Sequence, residues 1–145
     1  MTMYNLKDKV AIVTGAGGKN GIGRAVADRL AQEGAKIIVT DIVEVPYSDG
    51  DWEGLSSVVE EITSRGGEAA KLLVDVTDAS SIENAIDKAL NIFNRVDILV
   101  NNAGAAASKD RVSIVDLEEE DWDRVIDINL KGVFLFSKSF AKELI

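Results

Sequence analysis

The stretch Lys9-Val10-Ala11-Ile12-Val13-Thr14-Gly15-Ala16-Gly17-Gly18-Lys19-Asn20-Gly21-Ile22-Gly23 decides the reading of this chain. It opens on a short β-branched run, passes through a glycine-rich turn, and continues into Ile22, Ala25, Val26 and Leu30 at helical spacing. Strand, glycine turn and helix in that order place free backbone N–H groups and the positive end of a helix dipole at one point. Glycine there permits a tight turn, close approach to a pyrophosphate, and close packing of helix on strand. Loops also use glycine without any ligand, so the turn alone decides little.

The same alternation continues along the chain. Lys36 to Asp41 reads as a second strand, and residues 43–54 as a polar loop. Leu55, Val58, Val59 and Ile62 form a helical stripe that stops at Gly66-Gly67, and Ala70 to Val74 reads as a third strand. Ser80 with Glu83 reads as a capping box for a helix carrying Ile82, Ala85, Ile86, Ala89 and Phe93. Val96 to Val100 is a fourth strand, and a last long helix is expected from Asp116 toward Ile145. Near-continuous apolar strands separated by helices predict an α/β fold, a Rossmann-like doubly wound parallel sheet of order 3-2-1-4.

Composition narrows the chemistry. The 145 residues fit one domain, and a net charge of −9 argues against nucleic acid or an anionic membrane as partner. Without Cys or His there is no disulfide framework, Ser-His-Asp relay or metal-ligand pattern of the usual kind, so no metal site is assigned. Met1 to Lys7 has no signal-peptide core and no run is long enough to span a bilayer, so a cytoplasmic protein is the expectation.

Two further features bear on a ligand. Asp41 ends the second strand, 18 residues beyond Gly23, where a carboxylate accepts hydrogen bonds from a ribose 2′-OH and repels a 2′-phosphate. A solvated strand-end charge is the plainer alternative for it. Lys19 points the other way, because a basic group in the turn tolerates NADP; the balance favours NAD. Asn129 shares a predicted stripe with Trp122, Val125, Ile126, Leu130 and Val133, where one amide among apolar neighbours requires a hydrogen bond. A satisfied core Asn accounts for it equally well.

Taken together, the residues resemble the short-chain dehydrogenase/reductase family from Lys7 to the end. The resemblance rests on Thr14-Gly15 with Gly21-Ile22-Gly23, on Asp41, on Asp75-Val76-Thr77-Asp78, on Asn101-Asn102-Ala103-Gly104 and on Asn129-Leu130-Lys131-Gly132. It implies dinucleotide contacts from Gly15, Gly17, Lys19, Gly21, Ile22, Gly23, Asp41, Asp75, Val76, Asn102, Ala103 and Gly104, with Asp75 and Val76 near the adenine. It also implies a catalytic role for Asn129, whose family counterpart holds a water or Lys in a proton relay. One departure stands out: five residues separate Gly15 from Gly21 where the family usually has three. The contacts of Gly17, Gly18 and Lys19 are correspondingly open.

The family's chemistry needs a Ser and a Tyr with Lys four residues on, which lowers a phenol that otherwise titrates near pH 10. The chain has only Tyr4 and Tyr47, followed at that distance by Asp8 and Asp51, and none of Ser108, Ser113, Ser137 and Ser139 follows a fifth strand. The expectation is a single cofactor-binding domain, residues 1–145, cut after the fourth crossover helix and inactive alone. The alternative is a non-catalytic dinucleotide-binding module or subunit. An uncovered fourth strand, with Val133, Phe134, Phe136 or Phe140 exposed, predicts self-association or a partner chain.

Overall fold

The computed structural model describes residues 4–105 and 111–145, so Met1 to Met3 and Ser108 lie outside the described residues. Four strands, β1 (Val10–Thr14), β2 (Lys36–Asp41), β3 (Ala69–Leu73) and β4 (Ile98–Val100), form one parallel sheet of order β3-β2-β1-β4. Helices α1 (Ile22–Gln32), α2 (Leu55–Ser64) and α3 (Ala79–Phe93) make the crossovers, and α4 (Glu119–Ile126) and α5 (Gly132–Lys142) follow β4. The 3-2-1-4 order expected from the sequence is the order found.

Alternation along the strands divides the core into two. Val10, Ile12 and Ile38 face α3 and α5, where they meet Ile82, Ile86, Ala89, Phe136 and Phe140. Ala11, Val13, Ile37 and Val39 face α1 and α2, where they meet Ala27, Leu55, Val58 and Ile62. All five residues of β1 are buried, as befits a strand paired on both sides and covered on both faces, whereas β4 is half-buried and, among the described residues, pairs only with β1. Asp97, just before β4, ties the two strands at their lower ends: its Oδ2 accepts the Val10 N–H at 2.9 Å and its Oδ1 faces the Lys9 ammonium at 3.2 Å.

Five local readings are corrected. The face of α1 that meets the sheet is Gly23 and Ala27, not Ile22 and Ala25, because small residues let the helix approach closely; Ile22 is 75% exposed. Helix α3 is capped by Asp78, whose carboxylate accepts the Ser80 N–H at 2.9 Å, so the capping pair begins two residues earlier than Ser80. The last helix is not continuous from Asp116. A 3-10 turn at Ile114–Asp116 precedes α4, and a single π turn, Asp127–Lys131, separates α4 from α5. That wide turn breaks the predicted stripe: Trp122, Leu130 and Asn129 are exposed rather than buried together. It also turns Phe136 and Phe140 into the α3 core, leaving Phe134 exposed.

Candidate functional site

The carboxyl ends of β1 and β2, with the segments following β3 and β4, open on a cleft of about 420 Å3. Ligands of open parallel sheets bind at this edge, and the volume is in the range of small-molecule sites. Its walls are built by hydrogen bonds that the strand-end residues dictate.

Thr14, the last residue of β1, is buried, and its hydroxyl accepts the N–H groups of Asn102 at 3.0 Å and Ala103 at 2.9 Å. The Asn102 amide donates back to the carbonyls of Thr14 at 2.8 Å and Gly15 at 2.9 Å. Asn102 is therefore a clasp between the two central turns, while Ala103 and Gly104 line the cleft beside it. Gly15 sits at φ +64° with the Ala103 Cα where a Cβ would lie, 2.7 Å away, so only glycine fits. Asn101 turns outward and donates to the Ser137 hydroxyl of α5 at 3.0 Å.

The turn continues to Gly21, the N-cap of α1, which carries no side-chain cap and no acidic residue in the first turn. That helix start is electrostatically suited to an anion. Gly21 and Ile22 line the cleft, whereas Gly23 is packed beneath Asn102. Lys19 is outside that lining: its ammonium lies 3.7 Å from the Asp49 carboxylate, in an adjoining hollow that shares Gly18, Gly21 and Tyr47 with the cleft. Gly17 lies beneath the lining: its N–H donates to Asp41 Oδ2 at 3.0 Å. Asp41 itself lines the cleft, its other oxygen accepting the Ile42 N–H at 2.9 Å.

Opposite the glycine turn, Asp75 and Val76 line the far wall. The Asp75 Oδ1 accepts both the N–H and the hydroxyl of Thr77, at 2.8 and 2.7 Å, which holds the segment in a tight turn. Val76 also packs on Gly132, where a Cβ would come within 2.9 Å, so α5 is drawn close to this wall. Asn129 stands at the rim, with its Oδ1 accepting the Ala105 N–H at 2.8 Å. It is thus joined to the segment after β4 instead of being an amide satisfied within the core.

The expected residues therefore fall into two groups. Gly15, Gly21, Ile22, Asp41, Asp75, Val76, Asn102, Ala103 and Gly104 line the cleft; Gly17, Gly23, Lys19 and Asn129 do not. The sequence reading missed Thr14 as a side chain, and missed Pro46, Tyr47 and Trp52 from the polar loop. Pro46 and Tyr47 line the cleft, and the Trp52 Nε1–H donates to the Gly17 carbonyl at 2.7 Å. Two aromatic rings and the chain's one proline in a mainly polar loop were the available signal.

A nicotinamide dinucleotide suits this donor set: a cradle at Gly15 that a Cβ would fill, an uncapped helix start, and a carboxylate held at the end of β2. One lining residue, Thr40, has a fully buried hydroxyl without a hydrogen-bond partner among the described residues.

A family model described as short chain dehydrogenase matches residues 9–145. The chain is 40% identical over 129 residues to a 3-oxoacyl-(acyl-carrier-protein) reductase of Thermotoga maritima, covering 89% of this chain and 47% of that protein. It is 33% identical over 145 residues to a 2-dehydro-3-deoxy-D-gluconate 5-dehydrogenase of Dickeya dadantii, covering 100% of this chain and 51% of that protein. The crystal structure of a short chain dehydrogenase from Mycobacterium smegmatis superimposes with a TM-score of 0.83 at 29% identity, over 98% of this chain and 55% of that one. The chain thus spans about half the length of the relatives it matches.

Proposed function

Because the chain belongs to the short-chain dehydrogenase family, we propose that it is the cofactor-binding part of an NAD-dependent oxidoreductase that interconverts an alcohol and a ketone. The observation that carries this reading is Asp41, a carboxylate lining the cleft and oriented by the Gly17 N–H across from the open start of α1. Its oxygens accept hydrogen bonds from the adenosine ribose hydroxyls, and its charge opposes a 2′-phosphate, so NAD is preferred to NADP. Lys19, the one basic residue in the turn, has its charge opposed by Asp49.

The remaining roles follow from position. The start of α1 and the Gly15 cradle hold the pyrophosphate, Val76 packs beside the adenine, and Asp75 fixes that wall. Asn102 sets the spacing of the two central turns, with Ala103 and Gly104 along the nicotinamide side. The bound dinucleotide supplies or accepts the hydride. Asn129, its oxygen accepting the Ala105 N–H, keeps its NH2 as a donor for the family's water and the oxygen's second lone pair as an acceptor for the family's Lys. Relatives named for a 3-oxoacyl group and for a deoxygluconate share oxidoreduction and differ in substrate, so the substrate class proposed is no finer than alcohol or ketone.

The two tyrosines, Tyr4 and Tyr47, lack a Lys four residues on, so this chain alone is proposed to have no appreciable turnover. A second reading, a dinucleotide-binding module or subunit needing a partner chain, rests on that same observation. Self-association or a partner covering β4 accompanies either reading, supported by the one-sided pairing of β4 and by exposed Leu130 and Phe134. A cytoplasmic setting belongs to the same reading, as the expectation for a cysteine-free chain.

Calorimetric titration with NADH and NADPH tests the proposal. Binding of NADH in preference to NADPH is expected, and no binding at millimolar NADH overturns both cofactor readings. Turnover of an alcohol with NAD well above a Gly21→Asp control overturns the inactivity of the chain alone. A coding frame continuing past Ile145 through a Ser and a Tyr-x-x-x-Lys favours the enzyme over the module.

A further inference from the structure

The polar loop between β2 and α2 is a closed strap with its own anchors. At its base the Leu55 N–H donates to the Glu44 carbonyl at 3.0 Å. The Glu44 carboxylate accepts the Ser56 N–H at 2.9 Å, the Ser56 hydroxyl at 2.8 Å and the Lys71 ammonium at 2.8 Å. Burial pushes that carboxyl up, but the bonds from Lys71 and Ser56 outweigh it and leave it below its ordinary value.

From this base the strap crosses the glycine turn. The Pro46 ring lies against Gly17, where a Cβ would come within 2.7 Å of its Cδ, and Tyr47 sits beside Gly18. Trp52 returns beneath the turn and donates its Nε1–H to the Gly17 carbonyl. The Arg24 guanidinium covers the Trp52 ring at 5.2 Å from its centroid. Arg24 is itself held by two bonds to Glu61, at 2.7 and 2.8 Å, and donates to the Lys19 carbonyl at 2.8 Å. The Glu61 bond raises its pKa further, so the charge over the ring is permanent. Gly17 is therefore fixed at both ends, its carbonyl by Trp52 and its N–H by Asp41.

We propose that Trp52 is a positioning residue for Asp41, acting through the Gly17 residue that the lengthened turn supplies. The proposal rests on the reading of the cleft as a dinucleotide site. A turn two residues longer than the family's usual one has more conformations to lose, and the indole restores a single one. Gly17 then presents its N–H to Asp41 Oδ2, and the carboxylate meets the ribose hydroxyls already oriented. Binding is tightened by what no longer has to be ordered.

The test uses Trp52→Phe, which keeps an aromatic ring under Arg24 and removes only the donor. Calorimetry compares ADP-ribose with its 2′-deoxyadenosine analogue, which lacks a hydroxyl for Asp41 to accept. The variant is expected to bind ADP-ribose about 5-fold more weakly, the loss of about one hydrogen bond, with less than a ~2-fold change for the analogue. Equal weakening of both, or of neither, overturns the proposal. Hydrogen exchange at the Gly17 amide supplies a readout without nucleotide: it is expected to quicken about 5-fold in Trp52→Phe while amides of β1 and β2 keep their rates. If the unaltered chain binds neither nucleotide the cofactor reading fails, and an unchanged Gly17 rate then also sinks the strap. Should Trp52→Phe fail to fold, Arg24→Gln, which loosens the same indole from its other face, carries the same pair of measurements.

Discussion

Replacing Gly23 by alanine ought to stabilise an ordinary helix, and here it is expected to do the opposite. In a helix interior the change from glycine to alanine favours folding by about 0.5–1 kcal/mol. A Cβ at Gly23, however, would lie 2.5 Å from Asn102 Nδ2, 2.7 Å from the Gly15 carbonyl oxygen and 3.0 Å from the Ala16 Cα. Two of those atoms are backbone of the turn leading into α1. Restoring ordinary contact requires the helix to retreat by about 1 Å. That retreat strains the bonds from Asn102 to Thr14 and Gly15, both under 3 Å at present. Overpacking of this kind costs about 1–3 kcal/mol, and weakening one hydrogen bond adds about 1 kcal/mol. Set against the helix gain, the net expectation is a loss of about 1–3 kcal/mol. At about 4 °C per kcal/mol for a chain of this size, the midpoint falls by roughly 4–12 °C. Urea unfolding followed by tryptophan fluorescence measures it, with Asn102→Ala and the double variant closing a cycle. In Asn102→Ala the nearest obstacle is gone, so the double variant loses less than the two single losses together. A Gly23→Ala protein as stable as the parent, or strictly additive losses, refutes the packing argument.

Other perturbations address separate features. Thr40→Val removes a buried hydroxyl without a partner among the described residues and should raise stability by about 0.5–1.5 kcal/mol in the same assay; a loss of more than ~1 kcal/mol means the hydroxyl is engaged. The Arg95 bond, opposed by burial and aided by Val10 and Lys9, holds the Asp97 carboxyl at about 2 against an ordinary 3.8. Its stabilisation is therefore whole above about pH 4 and disappears as the pH falls toward 2, and Asp97→Asn should flatten acid unfolding in that window alone. An unchanged acid profile contradicts this. Asp41→Ala should weaken NADH by about 10-fold and narrow its advantage over NADPH, since a ribose acceptor and a repelling charge both go; equal losses for the two nucleotides would argue against a ribose contact. Phe134→Glu should shift sedimentation toward smaller species, and an unaltered profile removes Phe134 from any self-association.

The strands and their order were legible because β-branched runs between helical stripes leave a parallel sheet few arrangements. The motif residues at strand ends were legible for the same reason: the fold brings every carboxyl end to one edge, so Gly15, Asp41, Asp75 and Ala103 meet there. What the sequence concealed has physical causes. The sheet-facing side of α1 is Gly23 and Ala27, and small residues do not register as a hydrophobic stripe. The wide turn at Asp127–Lys131 follows no glycine or proline, so nothing announced that Asn129 would leave the row of its neighbours. The strap was hidden because its key bond joins an indole to a backbone carbonyl 35 positions away, a pairing that residue type does not encode.

That wide turn has a consequence for insertions and deletions. A π turn is a helix with one residue too many, and one residue corresponds to about 100° of rotation about the axis. The helices on either side are therefore two gears meshed out of phase. Deleting any single residue from 127–131 other than Asn129 would straighten them into one continuous helix. The deletion could then leave Asn129 in place only by swinging Phe136 and Phe140 away from α3. Keeping the phenylalanines seated would instead carry the amide away from Ala105. The site and the core beneath it share one phase, and no change of length in this segment preserves both.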